Sequence, residues 1–406
     1  MKAVVITHSS TFEGRADAVG HFLEKRGYEV IRVFSDFDHH RKKTLSRKKP
    51  GYVYLHMTPY SKNLSARRLF AIHSFARKVV KHLEERIEAG EKIDLVYILL
   101  PANSFVPAAE RLRRKYHFRL VYDIIDLWPE SLPLKGLSGL PPIRFWSRLR
   151  DGEIGNADHI FTECSLYRTI LQSLPEKKTD TLYWYKKDTE KWKPEKESDF
   201  RIGRPEKCKE QRTDAADKGT EAAVSEAAER GTRLRLIYMG AVNNIIHISM
   251  IADLLRALHA KIPTELVVIG EGERTEEFLL AVRETGVSVD YRGPIYDEKE
   301  KNDLLRSADL GLNLMRPEVK VGLTMKSIDY LYCGLPLISN IQGDTEKLIR
   351  TERIGVHIED PASEQTAEAV LAAAQDPDMR RRARSAYEQY FTEKHFENVL
   401  QQMLEG

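Results

Sequence analysis

Leu234-Arg235-Leu236-Ile237-Tyr238-Met239-Gly240 is followed, one helix length later, by Glu265-Leu266-Val267-Val268-Ile269-Gly270-Glu271-Gly272. Each run is strand-length, almost wholly apolar and closed by glycine. Strands this apolar are buried on both faces, which is the condition of a parallel sheet covered by helices. The interval between them carries helical spacing over Ile248–Ala260.

The same alternation extends in both directions. Downstream, strands are expected at Val287–Arg292, Leu310–Leu314, Pro336–Ser339 and Val356–Ile358. Helices are expected at Thr275–Thr285, Glu298–Ser307, Thr324–Cys333 and Gln365–Gln375, with two more across Met379–Glu405. Upstream, strands are expected at Lys2–Thr7, Glu29–Phe34, Tyr52–Met57, Ile93–Leu99, Arg119–Ile124, His159–Thr162 and Thr181–Trp184, with helices at Ser65–Ala89 and Val106–Tyr116. From Lys193 to Gly231 the pattern stops: Lys, Glu, Asp, Ala and Arg dominate, and so little apolar surface cannot form a core strand. That stretch reads as a charged linker or insertion, helical at most over Ala222–Glu229.

The fold class is therefore α/β, with two doubly wound Rossmann-like domains facing across a cleft. The expected division is 1–190, a linker at 191–232, a second domain at 233–385, and a last helix at 386–406 packing back toward the first domain. A length of 406 residues suits two cores better than one. A ligand is expected at the carboxyl ends of the strands and between the domains.

Composition excludes several classes. No run approaches the ~18 apolar residues of a membrane span. The start, MKAVVIT, reads as a buried strand rather than a secretory signal. Three cysteines, Cys164, Cys208 and Cys333, have no metal-ligand spacing, and a reducing cytoplasm is the expected setting. The net charge of +3 conceals an asymmetry: residues 1–190 hold 33 Lys+Arg against 23 Asp+Glu, and the remainder 31 against 38. No nucleic-acid motif accompanies the basic half. An anionic lipid surface or a phosphorylated lipid substrate is a better partner for it, and an ordinary solvated surface is the alternative.

Candidate site residues follow the strands. After the first strand, Gly14 and Arg15 open a helix where backbone could approach a phosphate or sugar. There is no Gly-x-Gly-x-x-Gly fingerprint, so no nicotinamide cofactor is expected. Asp126 and Trp128, after the strand ending at Ile124, suit gripping sugar hydroxyls and stacking on a sugar ring. The alternative makes them a helix cap and a core residue. Gly240, Gly270 and Glu271 could cradle a base and ribose, or simply serve tight turns. The richest stretch is Leu314 to Tyr330, in which Arg316 and Lys326 flank a loop of Gly322, Leu323 and Thr324 that opens a helix. Cations, free backbone N–H groups and the helix dipole together make a diphosphate site, with Asp329 available to ribose hydroxyls. The alternative is a surface pair of Lys326 with Asp329. His21 and His73 read as structural, and no cluster has metal-ligand spacing.

These motifs, in this order, resemble the family 4 glycosyltransferases of GT-B architecture. The resemblance rests on Tyr238-Met239-Gly240, Val268 to Gly272, Ser307 to Leu312, and Lys326 to Ile338, with Asp123 to Ser131 and Ala157 to Ser165 in the first half. The Asp-Leu-Trp-Pro-Glu-Ser run is similar to that of bacterial members that build surface polysaccharides. The resemblance implies a retaining, metal-independent hexosyl transfer from a nucleotide-diphosphate sugar held by the second domain. The acceptor it implies is a glycan or lipid-linked glycan held by the first domain at the inner membrane face. Asp126, Arg316 and Lys326 would then be catalytic; Gly240, Gly270, Glu271, Gly322, Leu323, Thr324 and Asp329 would bind donor; Gly14, Arg15 and Trp128 would bind acceptor. No cofactor is implied.

The chain departs from the family pattern in places. Val321 and Asp329 stand where the family has a pair of glutamates, and Ile125 stands where a histidine is expected. Gly240-Ala241-Val242-Asn243-Asn244-Ile245-Ile246-His247 lacks the usual Arg and Lys. Two alternatives stay open: a weakened scaffold that binds nucleotide or a partner without turnover, and a sugar-nucleotide epimerase.

Overall fold

A computed structural model describes residues 1–39, 41–46, 48–62, 65–131, 140–189 and 233–405. The expected charged linker, its helix over Ala222–Glu229 and Cys208 lie outside the described residues. The chain divides into two compact units, Met1–Trp184 with Glu393–Gly406, and Tyr185–Thr392. The boundary thus falls at Trp184, before the expected 190. The last helix, Glu393–Glu405, belongs to the first unit.

In the first unit the strands are β1 (Lys2–Thr7), β2 (Glu29–Ser35), β3 (Phe37–Asp38), β4 (Lys43–Thr44), β5 (Tyr52–Leu55), β6 (Leu95–Leu100), β7 (Arg119–Ile124), β8 (His159–Thr162) and β9 (Thr179–Thr181). Seven of them form one parallel sheet in the order β5-β2-β1-β6-β7-β8-β9, while β3 and β4 form a separate antiparallel ribbon. β6 is buried along its whole length, as an apolar run covered on both faces must be. The last strand lies two residues earlier than expected, and the apolar run at 181–184 leaves the sheet after it. Helices also form at Pro141–Asp151 and Ser165–Ile170.

In the second unit the strands are β10 (Leu234–Met239), β11 (Thr264–Ile269), β12 (Ser288–Gly293), β13 (Leu310–Asn313), β14 (Leu337–Ser339) and β15 (Gly355–His357). All are parallel, in the order β12-β11-β10-β13-β14-β15. This is the doubly wound order, and the strand sequence reverses between β10 and β13. Leu236, Tyr238, Leu254, Leu255, Leu266, Val268, Phe278, Leu310 and Leu312 form the centre of its core.

Tyr330 holds that reversal point open. β10 and β13 pair only over Leu236–Tyr238 and Leu310–Leu312. Beyond this the Tyr330 hydroxyl accepts from the Met239 amide at 2.9 Å and donates to the Leu312 carbonyl at 3.2 Å. Its ring lies so close to Gly311 that a Cβ there would come within 2.6 Å of it. The helix Met325–Tyr332 is thereby pinned across the crevice, with its first turn at the carboxyl ends of the central strands.

Candidate active site

Lys326 sits in that first turn. Its side chain crosses the Gly240 backbone, where a Cβ would lie 3.4 Å from its Cε, and its ammonium is 4.4 Å from the centre of the Tyr238 ring. It is half-buried, and among the described residues no carboxylate pairs with it. Burial pushes it down from the usual lysine range to about 8. Removing an ammonium from water without an anion is costly, so the site is ready for one.

The surrounding backbone is tightly specified. Thr324 caps the helix by accepting from the Ser327 amide at 3.3 Å. Buried Asn313, the last residue of β13, donates to the hydroxyls of Thr324 at 2.7 Å and Ser327 at 2.8 Å. Gly322 offers its carbonyl to the amide and hydroxyl of Thr345 at 2.8 and 2.7 Å, and Leu323 is buried beneath the loop. The sequence had no evident way to mark Asn313 or Tyr238 as parts of the site, since both read as strand residues.

Other second-unit candidates are placed differently from expectation. Gly270, at φ 118°, is needed for packing: a Cβ would meet the Gly240 carbonyl at 2.2 Å, and one on Gly272 would meet the Val242 carbonyl at 2.3 Å. These glycines let two strand-end loops pack backbone to backbone. Glu271 is exposed, with its amide-bonding role confined to its carbonyl, which accepts from the Val242 amide at 3.1 Å. Arg316 is exposed on the loop after β13, tied there by its amide to the Ile245 carbonyl at 2.9 Å. Asp329 makes no pair with Lys326. It accepts from Lys186 at 2.5 Å, and Lys186 also reaches Glu298 at 2.9 Å. Lys186 is far away in sequence, which is why the pairing was not legible.

In the first unit, Arg15 and Trp128 are both buried against partners from the same unit. Arg15 is fully buried and joins Asp123 through two bonds of 2.7 and 2.9 Å, with a third to the Leu182 carbonyl at 2.8 Å. Tyr97 adds a hydroxyl to Asp123 at 2.7 Å. Arg15 is thus a core ion pair, because a guanidinium forced inside must find a carboxylate. Trp128 is 7% exposed, and the Arg68 guanidinium covers its ring at 3.9 Å, so no sugar can stack on that face. Gly14 is exposed with open space around it.

Asp126 is half-buried at the carboxyl end of β7, accepts from the Ser131 hydroxyl at 2.8 Å, and is pushed up by burial. Next to it stands a carboxylate that motif reading passed over. Glu163, directly after β8, accepts from the Trp184 indole at 2.5 Å and from the Tyr167 hydroxyl at 3.4 Å. Burial, with Asp126 and Asp123 nearby, pushes it up to about 8 against the opposing pull of Arg15. Folded Glu163 therefore keeps a proton that the unfolded chain releases near the ordinary 4.5, so stability falls as pH rises from about 4.5 to 8. Glu163→Gln should flatten that fall. Discounted for its contact with solvent, the gain at pH 9 over wild type should be about 2 kcal/mol, read by denaturant unfolding at pH 5 and 9. Equal pH slopes in both proteins would show that Glu163 ionises normally.

Two doubly wound parallel sheets, each with its helices, give the chain the fold of the GT-B glycosyltransferases. Residues 233–376 match the family model described as glycosyl transferases group 1. The solved structures it resembles include Anabaena HepE in complex with UDP, 14% identical over 100% of both chains with a TM-score of 0.66. WaaG, a glycosyltransferase involved in lipopolysaccharide biosynthesis, is 14% identical over 100% of both chains at a TM-score of 0.62. Sucrose-phosphate synthase from Thermosynechococcus elongatus is 12% identical, over 100% of this chain and 98% of its own, at 0.63. No curated protein matches the sequence. Among the described residues no helix is long and apolar enough to cross a membrane, and no group of three His, Cys, Asp or Glu could hold a metal.

Proposed function

We propose that the protein is a retaining, metal-independent glycosyltransferase that uses a nucleotide-diphosphate sugar and acts in bacterial surface-polysaccharide synthesis. The observation that carries this reading is Lys326, a half-buried ammonium with no carboxylate partner among the described residues, at the start of a capped helix beside the reversal point of the second sheet. Open α/β sheets bind their ligands at that point. A diphosphate there would meet the ammonium, the first-turn amides and the backbone of Gly240. HepE, which shares the fold, is solved in complex with UDP, and this supports a nucleotide ligand for the chain.

Transfer breaks the bond between the anomeric carbon and the phosphate oxygen, so negative charge grows on the departing diphosphate. Lys326 stabilises that charge where it develops, which is where a fixed cation has most leverage. Exposed Arg316 adds a second, more screened cation. Gly322, Leu323 and Thr324 shape the loop, and Asp329, held by Lys186, reaches the donor only if that pair opens. In the first unit Asp126 holds an acceptor hydroxyl, with the acceptor a glycan or lipid-linked glycan presented at the inner face of the membrane.

The test is a calorimetric screen of nucleoside diphosphates and their sugar conjugates, followed by acceptor trials with whichever donor binds. Binding of none would reject the reading. With a donor in hand, Asp126→Asn should lower turnover by roughly 100-fold while the donor Kd stays unchanged. Unchanged turnover would make Asp126 a purely structural residue.

A further inference from the structure

Four nitrogen-bearing side chains gather around two buried aromatic rings at the carboxyl end of the first sheet. Tyr60, which follows β5, receives all but one of them. The His39 imidazole bonds its hydroxyl at 2.6 Å, the Lys42 ammonium is 5.1 Å from its ring centre, and the Arg68 guanidinium is 5.7 Å from it. Arg68 also lies 3.9 Å over Trp128, and the His8 ring meets Trp128 edge-on at 6.4 Å. The four come from three segments: His8 follows β1, His39 and Lys42 lie in the turn of the β3–β4 ribbon, and Arg68 lies in the first turn of the helix Ala66–Glu88.

We propose that His8, His39, Lys42 and Arg68 form a phosphate cradle, and that the substrate taken by the first unit carries a phosphoryl group. Three observations support it. His8 is 4% exposed and its Nδ1 has no hydrogen-bond partner among the described residues. Lys42 holds a left-handed backbone, φ 57°, that a non-glycine residue adopts only where the surroundings impose it. Burial and Arg68 lower Lys42 against the pull of Asp38, and burial with Arg68 and His39 takes His8 down to about 3, so His8 enters the cradle as a neutral imidazole. Tyr60 and Asp126 pull Arg68 up against its burial. A guanidinium fork beside an ammonium suits the several oxygens of a phosphate.

Assigning this phosphate to the acceptor rests on the transferase reading; the cradle itself does not. The probe is inorganic pyrophosphate, titrated calorimetrically into the full chain carrying Lys326→Gln, which weakens the second unit's site roughly 10- to 100-fold. One site should keep its wild-type affinity, and adding Lys42→Gln should weaken it roughly tenfold. Arg68→Gln should do the same, with Lys42→Gln deciding the matter if loss of the buried arginine unfolds the unit. Absence of the remaining site, or an affinity indifferent to Lys42→Gln, would overturn the cradle. Two further ligands separate the sources of the phosphate. Competition by glucose 6-phosphate would assign it to a soluble sugar phosphate. Retention on vesicles containing undecaprenyl phosphate, but not on phosphatidylglycerol vesicles of equal charge, would assign it to a lipid carrier. A chain that binds pyrophosphate here yet binds no nucleotide sugar would reject the transferase reading and keep the cradle.

Discussion

Lys326→Gln should weaken binding of a nucleoside diphosphate by roughly 10- to 100-fold and leave the corresponding nucleoside unaffected. The range follows from about 1.5–3 kcal/mol for a hydrogen bond to a charged group. Equal losses for both ligands would remove Lys326 from the diphosphate and make it a packing residue. The same lysine sets a pH dependence. Burial holds it at about 8, so the ammonium is present below that pH and absent above it. A bound diphosphate favours the charged form, so binding above pH 8 must take up a proton. Affinity should therefore be level up to about pH 8, then fall by about tenfold per pH unit. Calorimetry at pH 9 in two buffers of different ionisation heat should show the proton uptake. Lys326→Gln should lose both the uptake and the slope.

Arg15→Ala should cost about 3–5 kcal/mol of stability in the first unit, because it strands the Asp123 carboxylate in the core. The pair is wholly buried, and its bonds tie the helix Glu13–Glu24 to β7 and to the Leu182 carbonyl after β9. Asp123→Ala should cost as much, since it leaves the guanidinium stranded instead. The pair replaced together by Leu should recover a large part of the loss, as buried ion pairs exchanged for well-packed apolar residues commonly do. Trp128, Trp146 and Trp184 all lie in the first unit, so tryptophan fluorescence in a denaturant series reports mainly on its transition. The second unit should unfold at its wild-type midpoint, followed by circular dichroism, because it shares no partner with Arg15. A loss under 1 kcal/mol for either single variant would show that the pair is not sealed from water.

The two losses differ in kind because the two cations sit in different company. Arg15 and Lys326 each follow the reading of a cation near a strand end, and from spacing alone they look alike. Arg15 meets a carboxylate 108 residues away, and its charge is used up inside the fold. Lys326 meets an aromatic ring and a glycine, neither of which neutralises it. Trp128 follows the same logic: its neighbour in sequence, Asp126, suggested a sugar platform, while its neighbour in space, Arg68, covers the ring.

The architecture was legible in the sequence because burial on both faces leaves a local mark. β1, β7, β8 and β10 lie where their apolar runs put them, and Thr324 announces the helix it caps. Strand and helix periods are set by geometry over a few residues, so short windows record them. What only the tertiary structure decided is which charges are spent and which remain. Asp329 belongs to Lys186, Gly270 and Gly272 belong to the loop after β10, and Arg15 belongs to Asp123. Lys326 alone among these has no carboxylate partner among the described residues. The energy of a buried charge depends on partners brought in by the fold from distant segments, and local sequence does not carry that information.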